Sequence, residues 1–254
     1  AEFVDTILGA NAHVSIYTSR YVDSQGQITR GFSNAVQVAD NLRAVAGVLR
    51  AAPVIKDQAM VTANGRNLGA QVFGMSQENL ASLPRIGQGA DAKGDLAQFA
   101  SGIAIGQGIA QELGLLVGDK LRLIAPDGVK TAFGTSPRVK SYPVVYIFSA
   151  GRYDIDHTRV YLPFTEAQSF FNREGIADEI EVMVFLPDQI DQYADALQAA
   201  AGGDVLLWTW KDGASSFLRA LKMEDNVMFI ILSILVLIAT MNIVSGLIML
   251  VKNK

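Results

Sequence analysis

NVMFIILSILVLIATMNIVSGLIMLV, residues 226–251, contains neither a charged side chain nor a proline. As a helix, about 26 residues rising 1.5 Å each extend about 39 Å, enough to cross a hydrocarbon core of about 30 Å with some tilt. A core helix of a soluble domain seldom stays uncharged for so long. The stretch therefore reads as a transmembrane helix, and the rest of the chain is what it anchors. Glu224 and Asp225 precede it, and Lys252 and Lys254 follow. Positive residues collect on the cytoplasmic side, so the C-terminus is expected in the cytoplasm and residues 1–225 outside it. Upstream, residues 211–224 place Ala214, Phe217, Leu218 and Leu221 on one helical side, and no breaker separates them from the span. A connecting helix over 211–225 is expected to run unbroken into the membrane.

The remaining residues mix charge and apolarity as a globular domain does. The chain has 254 residues, half of them apolar, which is ample for one or two buried cores. A net charge of −4, with no basic patch interleaved with aromatics, gives no reason to expect nucleic acid. The lack of cysteine suits an oxidising compartment. A domain exported ahead of an inward-running helix must be delivered across the membrane, yet no signal peptide or earlier span stands in the sequence. The expectation is a piece of a larger membrane protein, with residues 1–11, whose Phe3, Ile7 and Leu8 share a face, ending a preceding membrane helix.

Between these ends the patterning alternates strand and helix. Residues 13–18 (HVSIYT) read as a strand, and residues 34–49 carry apolar side chains at helical spacing. Residues 53–62 and 69–74 read as strands joined through Asn64-Gly65, a hairpin signal. Residues 84–102 are rich in Gly, Ala and Asp and read as a loop with at most a short helix. A strand at 103–105, a helix at 107–113 stopped by Gly114, and a strand at 120–125 follow. Further strands are expected at 144–148, 159–162, 179–186 and 205–209, with helices at 164–171 and 188–200. The first β-α-β (12–65) and the last (175–210) are expected to pair into one split α/β sheet near the membrane. Residues 66–174 would form an inserted α/β subdomain, giving a mixed α/β fold followed by one transmembrane helix.

Catalytic constellations are missing from this pattern. His13 sits in a strand without an acid or thiol nearby. Asp154, Asp156 and His157 stand close together, but no second cluster would complete a metal shell, so a turn is the simpler reading. Gly106-Gln107-Gly108 lacks the third glycine and downstream acid of a dinucleotide loop and the GK[ST] of a P-loop. No G-x-S-x-G or H-E-x-x-H occurs. The informative segment is 127–143, DGVKTAFGTSPRVKSYP, an irregular connection that is long for a hairpin loop and carries Lys130, Arg138, Lys140 and Phe133. Basic and aromatic residues on a loop held by strands fit a partner-binding arm, and a solvated loop is the other reading.

The run EDNVMFIILSILVLIATMNIVSGLIMLVKNK resembles the second membrane helix of the LolC/LolE permeases of lipoprotein-releasing ABC transporters. EFVDTILGANAHVSIY, IAIGQGIAQELGLLVGDKLRLIAP and TSPRVKSYPVVYIFSAGRYDIDHTRVYLPFTEAQ are similar to further stretches of that family, in order along nearly the whole chain. The resemblance implies a MacB-like periplasmic core set between the first and second of four membrane helices, in the bacterial inner membrane. It further implies a LolD-type ATPase subunit carrying the ATP site, a second permease as hetero- or homodimer partner, a lipoprotein substrate taken from membrane lipids, and hand-over to the periplasmic chaperone LolA. Segment 127–143 falls where LolC has its LolA-capturing hook. The implied contact residues are Phe133, Gly134, Thr135, Ser136, Pro137, Arg138 and Lys140, with the tip at 133–138. Phe217, Leu221 and Met228 are the expected lipid- or lipoprotein-facing residues. Withdrawing an acylated anchor costs about 0.8 kcal/mol per buried CH₂, so ATP bound elsewhere must supply the work. MacB-type efflux permeases, FtsX-type regulators of cell-wall hydrolases, and an ectodomain on a membrane stalk remain the alternatives.

Overall fold

The computed structural model describes residues 9–18, 21–22, 28–29, 31–87, 89, 91–131, 134–213 and 215–252. Of the helix end expected over residues 1–11, residues 1–8 lie outside them, and residues 9–11 form a turn and bend rather than helix. Twelve strands are described, in chain order β1 Val14–Thr18, β2 Tyr21–Val22, β3 Ile28–Thr29, β4 Val48–Ala63, β5 Arg66–Met75, β6 Lys93–Gly94, β7 Ile103–Gly106, β8 Lys120–Thr131, β9 Gly134–Phe148, β10 Arg159–Pro163, β11 Glu179–Val184 and β12 Val205–Thr209. Contacts group the chain into two units, Ala1–Thr209 and Trp210–Lys254.

The 16 residues of β4 span about 50 Å, and different partners use its two halves. Residues 48–54 pair with β11, which pairs in turn with β1, and β1 with β12. Residues 55–63 pair with β5, and Met60–Thr62 also pair with β8 on the opposite side. Pro53 is tolerated within so central a strand because its missing N–H faces the side β5 vacates.

Beyond Ile55 the pairing closes on itself. β4 joins β5, β5 joins β10, β10 joins β7, β7 joins β9, β9 joins β8, and β8 returns to β4. This is a six-stranded barrel. Alternation fills it: Val61, Val72, Ile105, Leu123, Val144 and Val160 point inward and are fully buried, while Met60 and Val139 point out. Leu113 and Phe170 plug it from the helices Gln107–Leu113 and Phe164–Phe170. A second core packs Leu80, Leu83, Ile86 and Phe99 against the outward faces of Phe148 and Tyr161.

The split sheet forms as the sequence suggests, with Val38, Leu42 and Leu197 of the helices Ala35–Arg43 and Ala194–Ala200 buried beside it. Several boundaries move. The division between the split sheet and the inserted part falls inside β4, near residue 55, rather than at residue 66. The helix expected over 34–49 ends at Arg43, because Gly47 turns the chain at φ +85° and Val48 and Leu49 enter β4. The helix expected over 188–200 is a 3-10 turn, Pro187–Gln192, followed by Ala194–Ala200. The Asn64-Gly65 turn forms with both φ values positive, 50° and 73°, as a type I′ hairpin requires.

In the second unit a short helix, Trp210–Gly213, is followed by one 38-residue helix, Ser215–Lys252. Its segment Val227–Met249 is long and apolar enough to cross a membrane, and none of it is buried against protein. Ser233 and Thr240 donate their hydroxyls to Phe229 O and Val236 O, both at 2.7 Å, so these polar groups need no other partner in lipid.

One buried group makes stability depend on pH. His13 Nδ1 accepts the Val184 N–H at 3.0 Å within the split sheet. Burial, reinforced by the nearby Arg50 cation, lowers its pKa from 6.5 to about 4. A depressed histidine stabilises the fold fully above pH 6.5, and that contribution drains away as pH falls toward 4, where the unfolded chain binds the proton first. His13→Asn keeps an acceptor and does not titrate. In urea unfolding, the wild type should lose about 3 kcal/mol relative to this variant between pH 7 and pH 4, with no divergence above pH 7.

Candidate functional site

β8 and β9 rise out of the barrel wall together. From Lys120↔Pro143 to Ala125↔Arg138 they belong to the wall. A bulge then interrupts the register between Ala125 and Val129, and pairing resumes at Val129↔Ser136, Lys130↔Thr135 and Thr131↔Gly134. Past the bulge, among the described residues, the two strands pair only with each other. Segment 127–143, expected to be irregular, is thus a two-stranded arm. Pro137 stands opposite the bulge, where no ladder hydrogen bond is required of it.

The sequence places the arm's tip at 133–138, and of these residues Gly134–Arg138 belong to the paired strand β9. Thr131 opposite Gly134 is the outermost described pair, and Phe133 lies outside the described residues. Gly134, Thr135 and Ser136 form the outgoing limb. Ser136 and Pro137 are exposed.

Arg138 and Lys140 belong to the arm's root. The Arg138 guanidinium donates to Ser169 O, to Phe170 O at 3.2 Å and to Asn172 Oδ1 at 2.6 Å. These are carbonyls of the last turn of the helix Phe164–Phe170 and the side chain of a residue turned left-handed at φ 54°. A cation at a helix C-terminus also meets the negative end of its dipole. Lys140 Nζ lies 2.5 Å from Glu166 Oε1 on the same helix, and the Tyr142 hydroxyl donates to that oxygen at 2.7 Å. Burial raises the Tyr142 phenol, and the Glu166 carboxylate raises it further, so it stays protonated as a donor. Burial alone would raise Glu166, but the hydrogen bonds from Lys140 and Tyr142 and the lysine's charge outweigh it and hold the carboxyl below its ordinary value. The two cations expected to meet a partner instead tie the arm to its own domain, and the sequence reading missed Glu166, Tyr142 and Asn172 as their partners.

Beside the root lies a groove of about 860 Å³ that the sequence did not announce. Gln58, Met60, Asn67, Gly69 and Gln71 line it on the sheet, Thr158 closes one end, and Ile124, Pro126 and Pro137 form the wall at the arm. None of its lining residues is charged.

The other singled-out residues take structural places. Asp156 is buried and accepts the Ala150 N–H at 2.7 Å, Asp154 pairs with Arg152 at 2.7 Å, and His157 stacks on Tyr153 with ring centroids 3.9 Å apart. Gly106 and Gly108 let the backbone of Asp156 and the ring of His157 approach, since a Cβ at either would sit within 2.4 Å of them. Among the described residues no three His, Cys, Asp or Glu side chains converge as metal ligands. Phe217, Leu221 and Met228 all lie on the helix Ser215–Lys252. Met228 is exposed, and the side chains of the other two are outside the described residues.

Two substitutions test the root. Arg138→Ala should cost about 1–2 kcal/mol in urea unfolding, and Arg138→Lys should recover little of it, because a single ammonium cannot span three acceptors in a fork. Lys140→Ala should cost less than about 1 kcal/mol at pH 7. A depressed carboxyl stabilises above the ordinary glutamate value of 4.5 and loses that contribution as pH falls through its folded value. The Lys140→Ala difference should therefore shrink in thermal melts as pH falls below 4.5.

The MacB-like periplasmic core domain model matches residues 1–200. The "Lipoprotein-releasing system transmembrane protein LolC" of Neisseria meningitidis serogroup B is 28% identical over 212 residues, covering 82% of this chain and 51% of the relative. Its counterpart in Xylella fastidiosa is 27% identical and covers all of this chain and 59% of the relative. The chain thus spans about half the length of the curated relatives it matches. The crystal structure of the periplasmic region of MacB from Actinobacillus actinomycetemcomitans shares the fold, with a TM-score of 0.51 at 10% identity over 87% of this chain and 98% of that one. A split sheet and a barrel on one shared strand, a matching model over most of the length and LolC proteins among its relatives lead to one conclusion: the chain belongs to the MacB-like periplasmic core domain family.

Proposed function

We propose that the chain is the periplasmic domain and second membrane helix of a LolC-type permease in a lipoprotein-releasing ABC transporter of the bacterial inner membrane, with its C-terminus in the cytoplasm. In this reading the β8–β9 arm captures the periplasmic chaperone LolA. A LolD-type ATPase and a second permease complete the complex. The observation that carries the proposal is the arm itself, paired well past the barrel wall and braced at its root by Arg138 and Lys140. The LolC relatives and the apolar span Val227–Met249 support it.

The bracing assigns roles along the arm. A rigid root presents the exposed Ser136 and Pro137 to a partner without first having to order the base of the limb, which lowers the entropic cost of capture. Arg138 and Lys140 act as struts, and the contact surface shifts outward to residues 129–137. No nucleotide-binding motif stands in the sequence, so the work of withdrawing an acylated anchor is assigned to ATP on the partner subunit.

Replacing residues 127–136 of the full-length permease by Asn-Gly shortens the hairpin to its wall-borne part. In reconstituted complex, lipoprotein transfer to LolA should fall by more than about tenfold while ATP hydrolysis persists. Undiminished transfer would refute the arm's role. A complex that neither takes up lipoprotein nor hydrolyses ATP in intact form would point to another class of permease.

A further inference from the structure

The strand β5 keeps one edge unpaired over Asn67 and Gly69, on the side away from β4. It pairs with β4 over its whole run from Arg66 to Gly74, but β10 covers its other edge only from Gln71 onward. The hairpin closes with Ala63 opposite Arg66 across a two-residue turn, so Arg66, Leu68 and Ala70 exchange hydrogen bonds with β4. Asn67 and Gly69 then point their N–H and C=O away from it. Gln71 confirms this parity, because its N–H donates outward to Thr158 O at 2.7 Å, where β10 is about to begin. Among the described residues no strand faces Asn67 and Gly69. The groove reaches this edge, since it touches every residue from 67 to 71 together with Thr158, and its far wall is the root of the arm, Pro126 and Pro137.

We infer that this edge is a strand-acceptor site for an extended, uncharged segment of the protein seated on the arm, adding to β5 where β10 stops. The inference rests on the arm's role in capture and names the second contact of the same partner. Backbone chemistry selects the occupant. Open N–H and C=O groups call for another backbone, and the amides of Gln58, Asn67 and Gln71 suit a peptide and would be left unmatched against hydrocarbon. A groove without charge disfavours a charged segment, which would be desolvated there without a counter-ion. Met60, 46% exposed, stands opposite Gly69 and offers apolar surface across that side-chain-free position to a side chain of the incoming strand. The open length accommodates about four residues.

Gly69 supplies the test. A Cβ added there meets nothing within 4 Å, so Gly69→Trp fills the groove without straining the sheet. In the complete transporter complex, this variant should weaken capture of purified LolA about tenfold, while Gly69→Ala leaves it unchanged. Unaltered capture by Gly69→Trp overturns the inference. A photoreactive benzoylphenylalanine at Met60 should yield an adduct with LolA, mapped to an extended run free of Asp, Glu, Lys and Arg. An adduct with acyl chains or lipid, or no adduct while the same probe at Ser136 still labels LolA, overturns the site and spares the arm. Loss of both adducts overturns the arm reading as well as the inference built on it.

Discussion

Sixteen consecutive residues of one strand, shared between two sheets, hold the domain together. The first half of β4 lies in the split sheet and the second half in the wall of a closed barrel, with no loop between them. A strand paired on both halves bends little, so the barrel and the sheet are constrained to move as one body. The consequence is directional. β12 hands the chain toward the membrane helix from the split sheet, whereas the arm grows from β8 and β9 on the barrel. β4 is the covalent and hydrogen-bonded path between those two ends of the domain.

Rigidity at the arm's root has a similar origin. A two-stranded ribbon alone is marginal in water. Here its base belongs to a barrel, and the helix Phe164–Phe170 receives a guanidinium fork at its carbonyl end and an ion pair on its flank. The cost of ordering the base is therefore met within the domain. The bulge between Ala125 and Val129 ends the wall and frees the distal limb, and Pro126 and Pro137 sit where the ladder is already broken.

Much of this was legible in the residues. The charge-free run, the Asn64-Gly65 hairpin, the Gly114 stop after residues 107–113 and the pairing of first and last β-α-β units all follow from local chemistry. The barrel was not, because closure depends on three long-range pairs, Met60–Thr62 with Ile124–Arg122, that no local period reveals. The arm was half legible. Its charge and its phenylalanine raised the expectation of a contact segment, which stays a proposal, and Pro, Gly and Ser interrupt the alternation that would have marked strands. Arg138 and Lys140 illustrate the limit most plainly. From sequence they are basic residues on a presumed loop, and only the fold brings the end of the helix Phe164–Phe170 beneath them. The open edge at Asn67 and Gly69 is likewise a property of where β10 starts, which lies some ninety residues further along.

The coupling through β4 is the claim on which the rest stands, and native-state hydrogen exchange tests it most directly. Amides of β4 that face β11, such as Val54, and those that face β5, such as Val61, should open with the same free energy and the same denaturant dependence, as one cooperative unit. If the Val54 amide exchanges through a sub-global opening while Val61 remains protected, the split sheet and the barrel are separable bodies and the account fails.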